Sequence, residues 1–120
     1  MKYFKLALIA LPALFASTVW ATQVSCPDAA EIQNVGITIA KMHHDNYTVG
    51  TFANYGTPQT WGFAITNVTA VSAPDALAKA NAALASVTLT KGPIYTAAEG
   101  ITICNYSVSS GYNATAITVE

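Results

Sequence analysis

Two cysteines, Cys26 and Cys104, stand near opposite ends of this chain, and whether they join decides what the residues between them can fold into. The answer depends on redox compartment, and the first stretch of sequence speaks to that. Lys2 and Lys5 give it a positive start, and Leu6 to Phe15 is an apolar run broken only by Pro12. Val19-Trp20-Ala21 then puts acceptable residues at the positions a signal peptidase reads before its cut. The apolar run is too short to span a bilayer, and no stop-transfer pattern follows it. A lipoprotein would need a leucine-like residue ahead of Cys26, where the chain has Gln23-Val24-Ser25. The sequence therefore predicts a signal peptide over 1–21 and a single exported globular domain over 22–120. Its destination is the periplasm or the outside of the cell, with no stable membrane insertion after cleavage.

In an oxidising compartment two cysteines read as one disulfide. A Cys26–Cys104 bridge closes most of the exported chain into a loop, and loop entropy values that at about 4.5 kcal/mol. Set against the roughly 5–10 kcal/mol that holds a domain together, that share is decisive. A reactive thiol pair would instead need proximity in sequence, a Cys-x-x-Cys spacing or a flanking base, and none is present.

Charge narrows the function classes. Beyond the signal segment the basic residues are Lys41, Lys79, Lys91 and two histidines, against six acids, and there is no arginine. That argues against nucleic acid, which is held by several cations releasing counterions, and against anionic membranes and phosphate ligands. Polarity comes instead from Thr, Asn, Ser and Gln.

The hydrophobic pattern predicts an α+β domain: an antiparallel β-sheet with one main helix packed on it, stapled by one disulfide. The alternative is a β-sandwich with a helical excursion. Cys26 to Ile32 reads as a short helical turn with Pro27 at its first position. Strands are expected over about 35–42 and 47–53, and a third carries Trp61, Phe63 and Ile65 on one face. Val68 and Ala70 fall in the opposite phase, which predicts a bulge near Asn67. Ser72-Ala73-Pro74-Asp75 is a helix start, and Leu77, Ala80, Leu84 and Val87 follow helical spacing. Gly92-Pro93 is expected to break a return strand begun at Leu89. Ile101 to Val108 and Tyr112 to Val119 close the pattern; the former puts Thr102, Cys104, Tyr106 and Val108 on one side and Ile101 and Ile103 on the other, which suggests burial on both faces and a central strand.

Cys26-Pro27 at the exported start, Trp61-Gly62 in mid-chain, Tyr95-Thr96-Ala97-Ala98 and Cys104-Asn105-Tyr106 together resemble the spacing in small exported proteins of Gram-negative bacteria that have no assigned function. The resemblance implies a bacterial, exported protein and adds no activity.

Chemistry-bearing residues are few. His43-His44-Asp45 is the one cluster with metal-ligand character, and imidazole suits Cu²⁺ or Zn²⁺. Adjacent strand residues point to opposite sides, so both rings reach one ion only if a turn folds them together; otherwise the cluster is a solvated hairpin tip. Acids and bases are too scarce for a hydrolase pair or a Ser–His arrangement, there is no Gly-x-Ser-x-Gly, and the expectation is a non-enzyme without cofactor. Tyr55 and Trp61 are the candidate ligand-binding aromatics, although Phe63 and Ile65 share the face of Trp61 and favour it as the centre of the core. The functional expectation is a non-catalytic binding module whose partner is a protein or glycan. It would be met through the Tyr55–Trp61 loop or an open sheet edge. The alternatives are a hydrolase inhibitor presenting Asn54–Gln59 and a metal-handling protein.

Overall fold

The computed structural model of the protein describes residues 24–119, so the proposed signal segment lies outside the described residues. A helix α1 (Ala29–Val35) leads into strands β1 (Ile39–His43), β2 (Asn46–Ala53) and β3 (Thr60–Val68). Helix α2 (Ala73–Ala83) follows and runs on through a 3-10 turn at Leu84–Ser86. Strands β4 (Thr88–Thr96), β5 (Ile101–Ser107) and β6 (Asn113–Val119) complete the chain. All six strands pair antiparallel into one sheet of order β1-β2-β3-β6-β5-β4. This six-stranded antiparallel sheet with two helices is compatible with the predicted α+β class.

The disulfide is present. Cys26 and Cys104 are bonded with Cα atoms 5.9 Å apart, tying the N-terminal turn to β5. Tyr106, two residues along the same face, donates its hydroxyl proton to the Pro27 carbonyl at 2.6 Å. The short helix starts later than Pro27, with Asp28 as its cap and Gly36 beyond its end at φ 76°. Val35 therefore belongs to the helix, and the first strand begins only at Ile39, not near residue 35.

Helix α2 begins as its sequence dictates. Ser72 is the N-cap, its side chain accepting from the Asp75 N–H at 3.2 Å, and proline lies within the first turn. Its buried stripe is Ala76, Ala80 and Ala83, continued by Leu84 and Val87, with Leu77 only half-buried. Such small side chains let the helix lie close over β1, β2 and β3. Asn81 secures it there, accepting from the Ile37 N–H at 3.0 Å and donating to the Ile37 carbonyl at 3.1 Å.

The core lies between helices and sheet: Trp61, Phe63, Ile65 and Val68 of β3, Val49 of β2, Ala116 of β6, Cys104 and Tyr106 of β5, and Ile32 of α1. The predicted bulge is real. Tyr47 pairs with Val68 but Val49 pairs with Ile65, and Asn67 takes φ 60°, so Val68 regains the buried face after the phase slips. Gly92-Pro93 does not end its strand. β4 runs through it with two register irregularities, because β4 is an edge strand and the proline's missing N–H costs no ladder bond there.

Candidate functional site

The two aromatics expected to meet a ligand are structural. Trp61 has 0 % exposure, and its indole N–H donates to Thr57 Oγ1 at 2.9 Å. Tyr55, at φ 52°, is buried to 4 % exposure. Burial pushes its hydroxyl pKa up to about 12. The loop that carries them folds back on the body: Thr57 bonds the Asn54 carbonyl through both its N–H and its hydroxyl, and Thr60 Oγ1 donates to Asn54 Oδ1 at 3.1 Å. An exposed anchor at Trp61 is thus overturned by the alternation that the sequence itself carries, since Phe63 and Ile65 share its face. The segment Asn54–Gln59 is a tightly bonded turn.

His43 and His44 sit at the β1–β2 hairpin tip with ring centroids 4.3 Å apart, edge to face. His44 adopts φ 60° in the turn, which brings the second ring round toward the first. Asp45 does not join them in a three-ligand group, and no such group of His, Cys, Asp or Glu occurs among the described residues.

The open face of the sheet is where unpaired chemistry collects. Because residues paired across strands share a face, the register assigns every position to one side. One cross-strand row runs Phe52–Gly62–Ile117–Ile103–Ile94, over five strands. Beyond it, toward one end of the sheet, Val119 and Ile101 occupy the same face. The next row inward is Ile39–Gly50–Ala64–Thr115–Asn105–Lys91. The far end carries Lys41 beside Thr48, then Thr66–Asn113–Ser107–Thr88. The face is thus largely aliphatic and aromatic toward one end, with Thr60 and Thr96 flanking Val119 and Ile101, and hydroxyl-, amide- and ammonium-bearing at the other.

Neither helix covers it. Phe52 is 64 %, Ile39 43 % and Val119 39 % exposed, and the isoleucines of the row are half-buried. Across β1, β2, β3 and β6 the face hollows into an open concavity of about 930 Å³. Small residues make its floor. A side chain at Gly62 would come within 3.0 Å of the Phe52 ring, and one at Gly50 within 2.5 Å of the Phe63 carbonyl oxygen. Gly50 needs glycine because it lies against backbone, whereas at Gly62 it is the exposed Phe52 ring that lies close. Lys41 and His43 line the polar end.

Charge on this face has one sign. None of the six strands contains Asp or Glu, whereas β1 and β4 each carry a lysine. The ion pair found among the described residues, Lys79–Asp75 at 3.4 Å, belongs to α2. There the Val71 N–H first, opposed by desolvation and helped by Lys79, holds the Asp75 carboxyl below its ordinary value. Sequence reasoning missed this face because its signal is spread over five strands. Each strand contributes one or two residues, and only the pairing register lines them up.

A family model described as a domain of unknown function (DUF4949) matches residues 25–120. No curated protein and no solved structure matches the chain.

Proposed function

The chain belongs to the DUF4949 family, a domain of unknown function, and from its own geometry we propose that it is a non-catalytic binding module whose recognition surface is the open face of the sheet. One observation carries this: a row of apolar side chains spanning five strands is left without any covering element, although the opposite face of β2, β3, β6 and β5 is packed into the core. An isolated exposed hydrophobe needs no explanation, whereas a contiguous patch marks an interaction site. The module acts after export, in the periplasm or outside the cell of a bacterium. The Cys26–Cys104 bond, and the lack of any helix among the described residues long and apolar enough to cross a membrane, are compatible with that placement.

The test is a footprint. Residues 22–120, disulfide-intact and isotope-labelled, are titrated with fractionated envelope and host extracts. Shift changes are expected to concentrate at Phe52, Ile117, Ile103 and Val119. Perturbations confined to α2, or to the Asn54–Gln59 turn, would overturn the assignment.

A second reading is supported by the approach of the two imidazoles: a Cu²⁺ or Zn²⁺ site at the hairpin tip, completed by water. Calorimetric titration with either metal is expected to show binding that disappears in His43→Ala/His44→Ala. Absence of binding, or binding unchanged in that variant, rules it out.

A further inference from the structure

Building on the open-face reading, we propose that the occupant is a single-chain anionic amphiphile, a long-chain fatty carboxylate, lying along the strands with its tail on the Phe52–Ile117 row and its carboxylate at Lys41. Three observations converge on this class. First, the face is amphipathic along the strand direction. From Val119 to the level of Lys41 is six residues of register, about 20 Å at the usual strand rise, and the middle of the face changes over that distance from Val119, Ile117 and Phe52 to Thr48, Thr66 and Lys41. A ligand that is apolar throughout leaves the Lys41 end unmatched, and one that is polar throughout leaves Phe52, Ile117 and Val119 facing water.

Second, the charges on the face are cationic and unmatched. Lys41 and Lys91 have no ion-pair partner among the described residues, and no strand supplies a carboxylate. A carboxylate head group is satisfied by one ammonium and neighbouring hydroxyls, here Lys41 with Thr48 and Thr66. A phosphate or a nucleic acid backbone would demand the cluster of cations this chain lacks. Third, the concavity of about 930 Å³ has a floor of Gly50 and Ala64, a shallow channel for a slender chain, and the Phe52 ring closes its apolar end over Gly62.

A second copy of the domain fits less well. Face-to-face sheets related by a two-fold axis along the strands would set the Lys41 end on the Lys41 end, and an axis across the strands would set it on the apolar end. Like charges or an unpaired ammonium follow in both arrangements.

Calorimetry and NMR on disulfide-intact residues 22–120 test the proposal with palmitate and with the fatty alcohol and quaternary ammonium of the same chain length, all below self-association. Palmitate is expected to bind one-to-one, tighter than the alcohol, with the ammonium weakest. Lys41→Gln should weaken palmitate about three- to fivefold, the scale of one exposed ion pair, and leave the alcohol unchanged. Phe52→Ala should weaken palmitate and alcohol alike, about tenfold, the scale of one apolar side chain uncovered. Ammonium binding as tightly as palmitate, or palmitate affinity unmoved by both substitutions, overturns the amphiphile. A concentration-dependent dimer, or an apolar peptide or glycan, that shifts the Phe52 row while palmitate does not also overturns it, yet leaves the open-face reading standing. If neither palmitate nor any extract moves that row, both readings fall.

Discussion

Strand β3 shows two surfaces made by one segment. Trp61, Phe63 and Ile65 point into the core at 0, 1 and 0 % exposure, while Gly62, Ala64 and Thr66 between them form the floor and polar end of the open concavity. The covered side is filled with the largest side chains the chain owns, interlocked with Tyr106, whose ring meets Phe63 edge to face at 5.7 Å. The open side is built from the smallest. The difference separates two demands: burial sets what the even-spaced large residues must be, and nothing in folding requires an aliphatic row at one end of the other face. At the rims even the covered side is bare, since α2 does not reach Met42 or Tyr95 on the edge strands, at 64 % and 58 % exposure. Those two are isolated positions, whereas the open face carries a continuous row.

If this contrast holds, the largest loss of stability comes from the covered side. Trp61→Ala removes the biggest buried side chain and the indole bond to Thr57, and is expected to cost about 4–5 kcal/mol by urea unfolding. A loss below about 1 kcal/mol would mean that the core can collapse around the gap, and the packed face would no longer be the stabilising one. Reduction of Cys26–Cys104 comes next, at about 3 kcal/mol, somewhat under the loop-entropy figure because residues 27–32 are also held by other contacts. An unchanged melting temperature in reductant would place the hold entirely in Ile32 and the Tyr106–Pro27 bond.

These two features were also the most legible in the sequence, for the same reason. Alternation at Trp61, Phe63 and Ile65, its slip before Val68, the Ser72 cap and the pairing of two lone cysteines are all local or arithmetical signals. What alternation cannot reveal is which of two faces a helix will cover, so it is the packing that excludes an exposed Trp61. The order β1-β2-β3-β6-β5-β4 was equally out of reach, because nothing in the β3 sequence says that its second neighbour is β6. From that order follow both the edge position that lets β4 run through Gly92-Pro93 and the line-up of Phe52, Gly62, Ile117, Ile103 and Ile94. Ile101 and Ile103 were read correctly as facing away from Cys104, but the sequence implied burial on both sides of that strand. Their side stays open, because both helices fall on the other.

A smaller effect tests the seam between the N-terminal turn and β5. Tyr106→Phe deletes the hydroxyl that serves the Pro27 carbonyl and should cost about 1 kcal/mol. The pH dependence has a definite sign. Burial first, then the nearby Asp28 and Tyr55, raises the Tyr106 pKa, and burial raises that of Tyr55 to about 12. Both phenols are thus held neutral in the fold. Their contribution is intact below the ordinary tyrosine value of 10.0 and is lost as pH climbs from there through the raised values. Thermal melts at rising pH should show this decline, with a shallower slope in Tyr106→Phe. A fold whose stability is flat up to about pH 12 would show that the phenols are solvated.

The smallest expected change in stability is the one that gives the comparison its meaning. Phe52→Ala removes a ring that is 64 % exposed and rests on Gly62, so folding should lose less than about 0.5 kcal/mol. The ring therefore costs the protein a solvated aromatic and returns almost nothing to its fold. A phenylalanine at that position, in line with three isoleucines on a face with no carboxylate, is then explained by what it meets rather than by what it holds up. Denaturation and ligand titration of the same variant decide between the two. Near-wild-type stability with lost amphiphile affinity assigns the open face to recognition. A loss of more than about 1.5 kcal/mol would make Phe52 a structural lid over Gly62, and the open face would join the core as a second, thinner layer of packing.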